Sequence, residues 1–420
     1  MGRSSTCLEI RTAISEHRSR RPTMKQRAKP LSKKSEENRQ KQRQDTRLVH
    51  PPYDPMSLHG FVNPPVVHGS TVLFESTAAM SGRQSLAYSY GLRGTPTTTA
   101  LEDQLSELEG AFGTVLVPSG LAAVTLPLLA FVSAGDHVLI VDSVYTPTRV
   151  FCDKMLARLG ASVEYFDPHI GAGIADLMRP ETSGVFLESP GSNTFEIMDV
   201  KAVAAIAREH GAVTMLDNTW ATPLLFRPLE HGVDLSIHAL TKYPGGHSDL
   251  LMGSVSANEA TYKRLRDAQM QLGVNAAPDD TFLVIRGLKT MGVRLRHHEQ
   301  SALALATWLE ARSEVSAVLH PALPSFPDHA AFKNQFSGAS GLFAVSLDCD
   351  VAAAKRFLDA LDIFGLGYSW GGHESLAVLV DLSDRTVATS RRDRPLIRLQ
   401  IGLEDPEDLK ADLERGFAAI

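Results

Sequence analysis

Ala212-Val213-Thr214-Met215-Leu216-Asp217-Asn218-Thr219 and, shortly after it, Val233-Asp234-Leu235-Ser236-Ile237-His238-Ala239-Leu240-Thr241-Lys242-Tyr243 decide the fold of this chain. Each is a short apolar run, the pattern of a strand buried on both faces of a parallel sheet. One run closes on Asp217 and the other on Lys242. The carboxyl ends of parallel strands open on a common crevice, so this acid and this amine are expected to face one space. Taken singly, Asp217 reads equally as a helix cap or salt-bridge partner, and Lys242 as a solvated lysine. Their occurrence together, in this order, carries the reading.

Outward from the pair the pattern is regular. Leu101, Leu105 and Leu108 recur at helical spacing from about residue 97, and Gly110 can end that helix. Apolar runs predict strands at 115–117, 137–141, 163–166 and 185–187, with helices at 121–132, near 147–159 and near 199–210. Strands alternating with helices imply βαβ units and a mostly parallel sheet, an α/β fold. Beyond about residue 290 a helix (about 296–312) precedes short runs at 341–347, 375–380 and 397–401 and a last helix near 406–418. That order predicts a smaller α+β domain. The expected organisation is a basic extension over 1–45, an arm over 46–95, a large domain over 96–290 and the α+β domain over 291–420.

Composition narrows the class. With 420 residues, 43% hydrophobic and 21% charged, the chain reads as an ordinary soluble globular protein with room for two domains. No run of about eighteen apolar residues exists, so neither a membrane-spanning helix nor a membrane partner is expected. Cys7, Cys152 and Cys349 are odd in number and far apart; they form no metal spacing and no disulfide framework, which fits a reducing, cytoplasmic location. Residues 1–47 hold fourteen Lys/Arg against five Asp/Glu, although the whole chain has a net charge of −6. This stretch has almost no apolar residues to bury and reads as a disordered arm. A nucleic-acid tail, a targeting peptide, a solvated extension and a start at Met24 are its alternative readings. It lacks aromatic interleaving, and no nucleic-acid partner is expected.

An acid and a lysine at neighbouring strand ends suit pyridoxal phosphate (PLP), whose aldehyde needs an amine and whose ring nitrogen needs a carboxylate to stay protonated. Pro118-Ser119-Gly120-Leu121-Ala122-Ala123 sits at a strand-to-helix turn, where glycine admits an anion and the helix start offers free N–H groups. Alone such a turn is only a turn. Thr241 could add a hydroxyl to the same phosphate, and Tyr145 could stack on the pyridine ring or serve as ordinary packing.

Four blocks then resemble the PLP-dependent enzymes of cysteine and methionine metabolism, the cystathionine γ-synthase-like group. They are Leu216-Asp217-Asn218-Thr219-Trp220-Ala221-Thr222-Pro223, His238-Ala239-Leu240-Thr241-Lys242-Tyr243-Pro244-Gly245-Gly246-His247-Ser248-Asp249, Ser369-Trp370-Gly371-Gly372-His373-Glu374-Ser375-Leu376 and Ile397-Arg398-Leu399-Gln400-Ile401-Gly402-Leu403-Glu404-Asp405. The resemblance runs from roughly Asp45 to the C-terminus. It implies the aspartate-aminotransferase-like fold (PLP fold type I) and a homotetramer of dimers that share active sites, the arm over 46–95 reaching the neighbouring subunit. It also implies Lys242 as the Schiff-base lysine, Asp217 as the ring-nitrogen partner and Tyr145 as the stacking tyrosine. Gly120, Leu121 and Thr241 match phosphate-cradle positions, and Arg398 the arginine on the substrate α-carboxylate. No metal is expected. The family commonly has Tyr-x-Arg-x-x-Asn-Pro-Thr, in which Tyr and Arg reach the partner's cofactor phosphate. Here Tyr90 is in place, but Leu92 fills the arginine position and Arg93 follows one residue later as its substitute.

The bond cleaved is read from Gly367-Tyr368-Ser369-Trp370-Gly371-Gly372. Members acting at the γ-carbon typically have a glutamate there, whereas Tyr368 and Trp370 resemble the proteobacterial cystathionine β-lyase type, with Ser369 between them on the substrate side. Ordinary pocket lining is the bland alternative. The resemblance thus implies α,β-elimination on a small amino-acid substrate, cystathionine giving homocysteine, pyruvate and ammonia in methionine biosynthesis. Lys242 would move the α-proton, and Lys242 or Tyr145 would protonate the departing sulfur. Cystathionine γ-lyase or γ-synthase chemistry, cystine or cysteine desulfhydration, and a PLP-binding regulator are the rival readings.

Overall fold

The computed structural model describes residues 38, 39, 41–83, 86–388 and 393–420. Most of the basic extension lies outside these residues, and its described end departs from the expected disordered arm. Arg39 is buried against Glu107 (Nε to Oε2, 2.8 Å). Helix α1 (Gln44–Val49) buries Leu48 and sets Asp45 against Arg296. Local composition could not show this, because the partners lie far along the chain.

Helix α2 (Pro96–Glu109) starts on a Thr95/Thr98 capping box and stops at Gly110, whose φ of 66° is the left-handed conformation that ends helices. Then come β1 (Gly113–Val117), helix α3 (Gly120–Phe131), β2 (His137–Val141), β3 (Ser162–Phe166) and β4 (Thr182–Glu188). Helix α4 (Val200–Glu209) leads to β5 (Val213–Asp217), β6 (Leu235–Ala239) and β7 (Gly253–Ala257), followed by helix α5 (Glu259–Leu272). The single helix expected near 147–159 is instead an α-helical segment, Thr146–Phe151, running into a π-helical turn, Cys152–Leu156.

The seven strands lie in the order β1-β7-β6-β5-β4-β2-β3. β7 runs antiparallel to β1 and β6, and the other pairings are parallel. The chain builds outward from β2 to β3 and then back through β4, β5 and β6, so the sheet's direction of growth reverses at β2/β4. Ligand crevices form outside the carboxyl ends of strands at such a point.

Helix α6 (Pro278–Glu310) is 33 residues long and carries the chain without a break across residue 290, where the pattern changes. It begins well before the helix expected at about 296–312. Beyond it lie β8 (Val315–Leu319), β9 (Leu342–Leu347), helix α7 (Val351–Asp359), β10 (Gly365–Leu366), β11 (Leu376–Val380), β12 (Leu396–Gln400) and helix α8 (Pro406–Ala418). The strands form a second sheet, β10-β11-β12-β9-β8. Leu305, Phe343, Phe357, Ile397, Leu399 and Leu413 build its core. Alternation along β12 sends Ile397 and Leu399 inward and Arg398 to the opposite face.

Candidate active site

A cavity of about 390 Å³ opens where β4, β5 and β6 end, between the two sheets. Asp217 is the last residue of β5, paired in register with Glu188 of β4. Its Oδ1 accepts the Thr219 N–H at 3.0 Å. Burial raises its carboxyl above the usual range, opposed by the Thr219 bonds and the charge of Lys242. Lys242 is not at the strand end proper. β6 stops at Ala239, and the lysine sits on the turn that follows, its N–H on the Ala239 carbonyl at 3.1 Å. Its Nζ donates to Ser369 Oγ at 2.6 Å and lies 5.2 Å from the Trp370 ring centroid. Burial first, then Arg398, lower its pKa to about 8, with Asp217 opposing. The loop supplying Ser369 and Trp370 lies on the lysine's own backbone: a Cβ on Gly371 (φ 80°) would stand 2.9 Å from Tyr243 N. Only glycine fits there.

One end of the cavity is an anion cradle. Ser119 caps α3 by accepting the Ala122 N–H at 3.1 Å. The first-turn N–H groups of Gly120 and Leu121 have no acceptor within the helix and lie at its positive end, lining the cavity. Gly120 is required by packing, since its Cβ would come within 2.6 Å of Ala239 Cβ. Thr241 lines the same end, but its hydroxyl donates to the Met252 carbonyl (3.2 Å) and accepts the Met252 N–H (3.1 Å). It therefore fixes the turn before Lys242 rather than offering its proton to an anion. Ser119, whose hydroxyl only accepts in its cap, retains a proton to give.

The opposite end is polar and asymmetric. Arg398 donates Nη2 to the Ser369 carbonyl (3.3 Å) and Nη1 to Asn193 Oδ1 (3.4 Å). Among the described residues no carboxylate lies within ion-pair reach of it, and burial lowers its pKa. A half-buried guanidinium with neutral neighbours is suited to a carboxylate arriving from solution. Tyr145 follows β2, with its N–H on Glu188 Oε2 at 2.8 Å. Burial, then the charges of Glu188 and Asp217, raise the pKa of its phenol, which stays protonated. Trp370 packs at 5.6 Å from Tyr243, whereas Tyr368 stands at the mouth, 88% exposed.

The fold thus brings Gly120, Leu121, Tyr145, Asp217, Thr241, Lys242, Tyr368, Ser369, Trp370 and Arg398 to one cavity. Tyr90 and Arg93 are elsewhere on this chain. Tyr90 is half exposed beside a 3-10 turn, Gly91–Arg93, and the Arg93 carbonyl accepts Arg266 Nη2 at 3.1 Å. Glu188 and Asn193 escaped the reading of the sequence, and Ser119 entered it only as part of the turn before α3. Glu188 carried a usable signal, since it ends an apolar run just as Asp217 does.

The chain belongs to the Cys/Met metabolism PLP-dependent enzymes, whose family model matches residues 45–418. It is 61% identical over 380 residues (89% of this chain, 96% of the relative) to a protein of Rhizobium johnstonii whose name ascribes cystathionine beta-lyase activity to it provisionally. It is 41% identical to the cystathionine beta-lyase MetC of Escherichia coli, over 90% of this chain and 98% of that one. It is also 41% identical to the L-alanine/L-glutamate racemase of Wolbachia pipientis, over 86% of this chain and 93% of that one. Among solved structures, MetB of Corynebacterium glutamicum superposes with a TM-score of 0.84 at 31% identity, over 90% of this chain and 98% of that one. PLP is the cofactor of this family, and the cavity fits it. A half-buried amine of lowered pKa, a half-buried carboxylate beside it and a helix start at one end match the aldehyde, the ring nitrogen and the phosphate.

Proposed function

We propose that this PLP-dependent carbon–sulfur lyase cleaves the Cβ–S bond of cystathionine, giving homocysteine and, as water hydrolyses the remaining three-carbon fragment, pyruvate and ammonia. The observation that carries this is the neutral wall around the amine: Tyr368, Ser369 and Trp370 bring no second base to the substrate side of Lys242. PLP, when bound, supplies the sink for the electron pair left at Cα. Arg398 and Asn193 hold the α-carboxylate, which orients the Cα–H bond toward Lys242. Lys242, with a pKa of about 8, is partly a free amine at neutral pH and removes the proton from Cα. The Tyr145 phenol, or Lys242 carrying that proton, protonates the departing sulfur. Asp217 holds the proton on the ring nitrogen, and Gly120, Leu121 and Ser119 hold the phosphate.

We further propose that a second copy of the chain completes the site. Tyr90 and Arg93 would meet the partner's phosphate from the arm over 46–95, which leaves Phe61, Val62 and Leu73 exposed in one chain. The domain limits above, a homotetramer and a cytoplasmic location belong to the same reading. Among the described residues no helix is long and apolar enough to cross a membrane.

The test is the product formed. Pyruvate with homocysteine supports the reading, whereas 2-oxobutyrate as main product moves it to γ-cleavage. Faster racemisation of L-alanine than cleavage of cystathionine would move it toward the racemase relative.

A further inference from the structure

Between β11 and β12 the chain leaves the small sheet and crosses to the large domain, where residues 384–388 hold two loops of the cavity. Asp142, fully buried just past β2, accepts the N–H groups of Thr386 (3.1 Å), Val387 (2.9 Å) and Ala388 (2.6 Å). It also accepts Arg149 Nη2 at 2.5 Å. Three residues on stands Tyr145, and Thr146 donates to Asp384 at 2.9 Å. On the other side Arg385, itself buried, donates Nη1 to Glu196 Oε1 (3.0 Å) and Nη2 to the Ser192 carbonyl (2.5 Å).

The segment that Arg385 grips is strained. Asn193 and Phe195 have φ of 66° and 64°. Asparagine takes that conformation readily, whereas phenylalanine keeps it only when its surroundings over-determine it. Asn193 is also the side chain that meets Arg398. A buried arginine–carboxylate pair is costly to desolvate and weak as a device for stability alone. Its position here, bracketing a loop that holds the strained Phe195 and meets Arg398 through Asn193, gives it another use.

We infer that Arg385 is a positioning residue for substrate binding: by fixing Ser192 and Glu196 it sets Asn193, and through Asn193 the guanidinium of Arg398. The small domain then holds the 192–196 loop at two points, one of them facing the substrate. The inference rests on the reading of Arg398 as the carboxylate-binding residue.

The experiment titrates the holoenzyme's cofactor absorbance with two amines, L-alanine, which has a carboxylate and no leaving group, and ethylamine, which lacks the carboxylate. Arg385→Gln should weaken L-alanine about tenfold and leave ethylamine and cofactor content unchanged. Arg385→Lys, which keeps the charge and one contact, should fall between. If Arg385→Gln does not fold, the neutral pair Arg385→Gln/Glu196→Gln carries the same expectations. Unchanged L-alanine binding, or equal weakening of both amines, overturns the inference. Arg398→Gln, measured alongside, separates the two readings. If it weakens L-alanine while Arg385→Gln does not, only the inference falls; if it leaves L-alanine unaffected, the role of Arg398 falls and the inference with it.

Discussion

On one side of the cavity Gly120, Asp217 and the Lys242 turn hang from the ends of a helix and two paired strands. On the other, Asn193 and Ser369 sit in loops with φ of 66° and 82°, and Arg398 reaches over from the second sheet. The first side is fixed by local backbone geometry and by contacts that admit only glycine. The second is fixed mainly by hydrogen bonds between domains, with the Gly371 contact on the Tyr243 backbone seating the Ser369 loop. Changes on the first side should therefore strike the chemical step, and changes on the second should strike binding.

The sharpest break is Lys242→Ala, which should reduce turnover to background, since among the described residues no other amine lines the cavity. Borohydride treatment of the wild type, followed by peptide mapping, should place the cofactor on Lys242; a label on another lysine would sink the assignment. Next is Asp217→Asn. It retains an acceptor for the Thr219 N–H but loses the charge, so kcat should fall by about 10²- to 10⁴-fold with little change in melting temperature. Near-normal kcat would make Asp217 structural.

Across the cavity, Arg398→Gln should act chiefly on KM, raising it by about 10- to 100-fold with a smaller loss in kcat. A loss confined to kcat would erase the contrast between the two sides. The amine itself offers a pH test in the cofactor-free protein. A solvent lysine is charged up to about pH 10.4. Lys242 loses its proton near pH 8, so above that it is the nucleophile. Its acylation rate should rise with pH to a midpoint about two units below that of surface lysines; a midpoint above pH 10 would show that its burial is not felt. The smallest effect belongs to Tyr368→Ala. At 88% exposed the side chain contributes little burial, and kcat/KM should stay within about threefold. Any change should appear as a larger 2-oxobutyrate share.

The same contrast explains what the sequence made legible. β2, β5 and β6 are mostly apolar runs that read as buried strands, and Asp217, at the end of β5, and Lys242, just past the end of β6, stood out against them. β7 went unread because Gly253, Ser254 and Ser256 look like a loop. Their backbones are buried in the sheet, and Ser256 is paired with the Thr114 hydroxyl at 2.8 Å. The first half of α6 holds Gly287 and Gly292, residues of low intrinsic helix preference. A Cβ on Gly287 would stand 2.1 Å from the Pro244 carbonyl, so that glycine lets the helix pack against the segment after Lys242. Asn193 gave no signal and Ser119 showed only as part of the turn before α3, because their roles come from neighbours that only the folded chain supplies.

Helix α6 also sets a rule for how this chain can change in length. Its first half packs on α1 and on α2 of the large domain and its second half on β8 and α8 of the small one, with no break between. Each residue of an α-helix advances about 1.5 Å and turns about 100°. A single insertion near residue 290 would therefore swing the small sheet around the helix axis and carry Ser369 and Arg398 away from Lys242, even though no residue of the cavity had changed. Substitutions along the exposed stripe of α6 should be tolerated freely, whereas one-residue insertions and deletions there should be as damaging as changes inside the cavity.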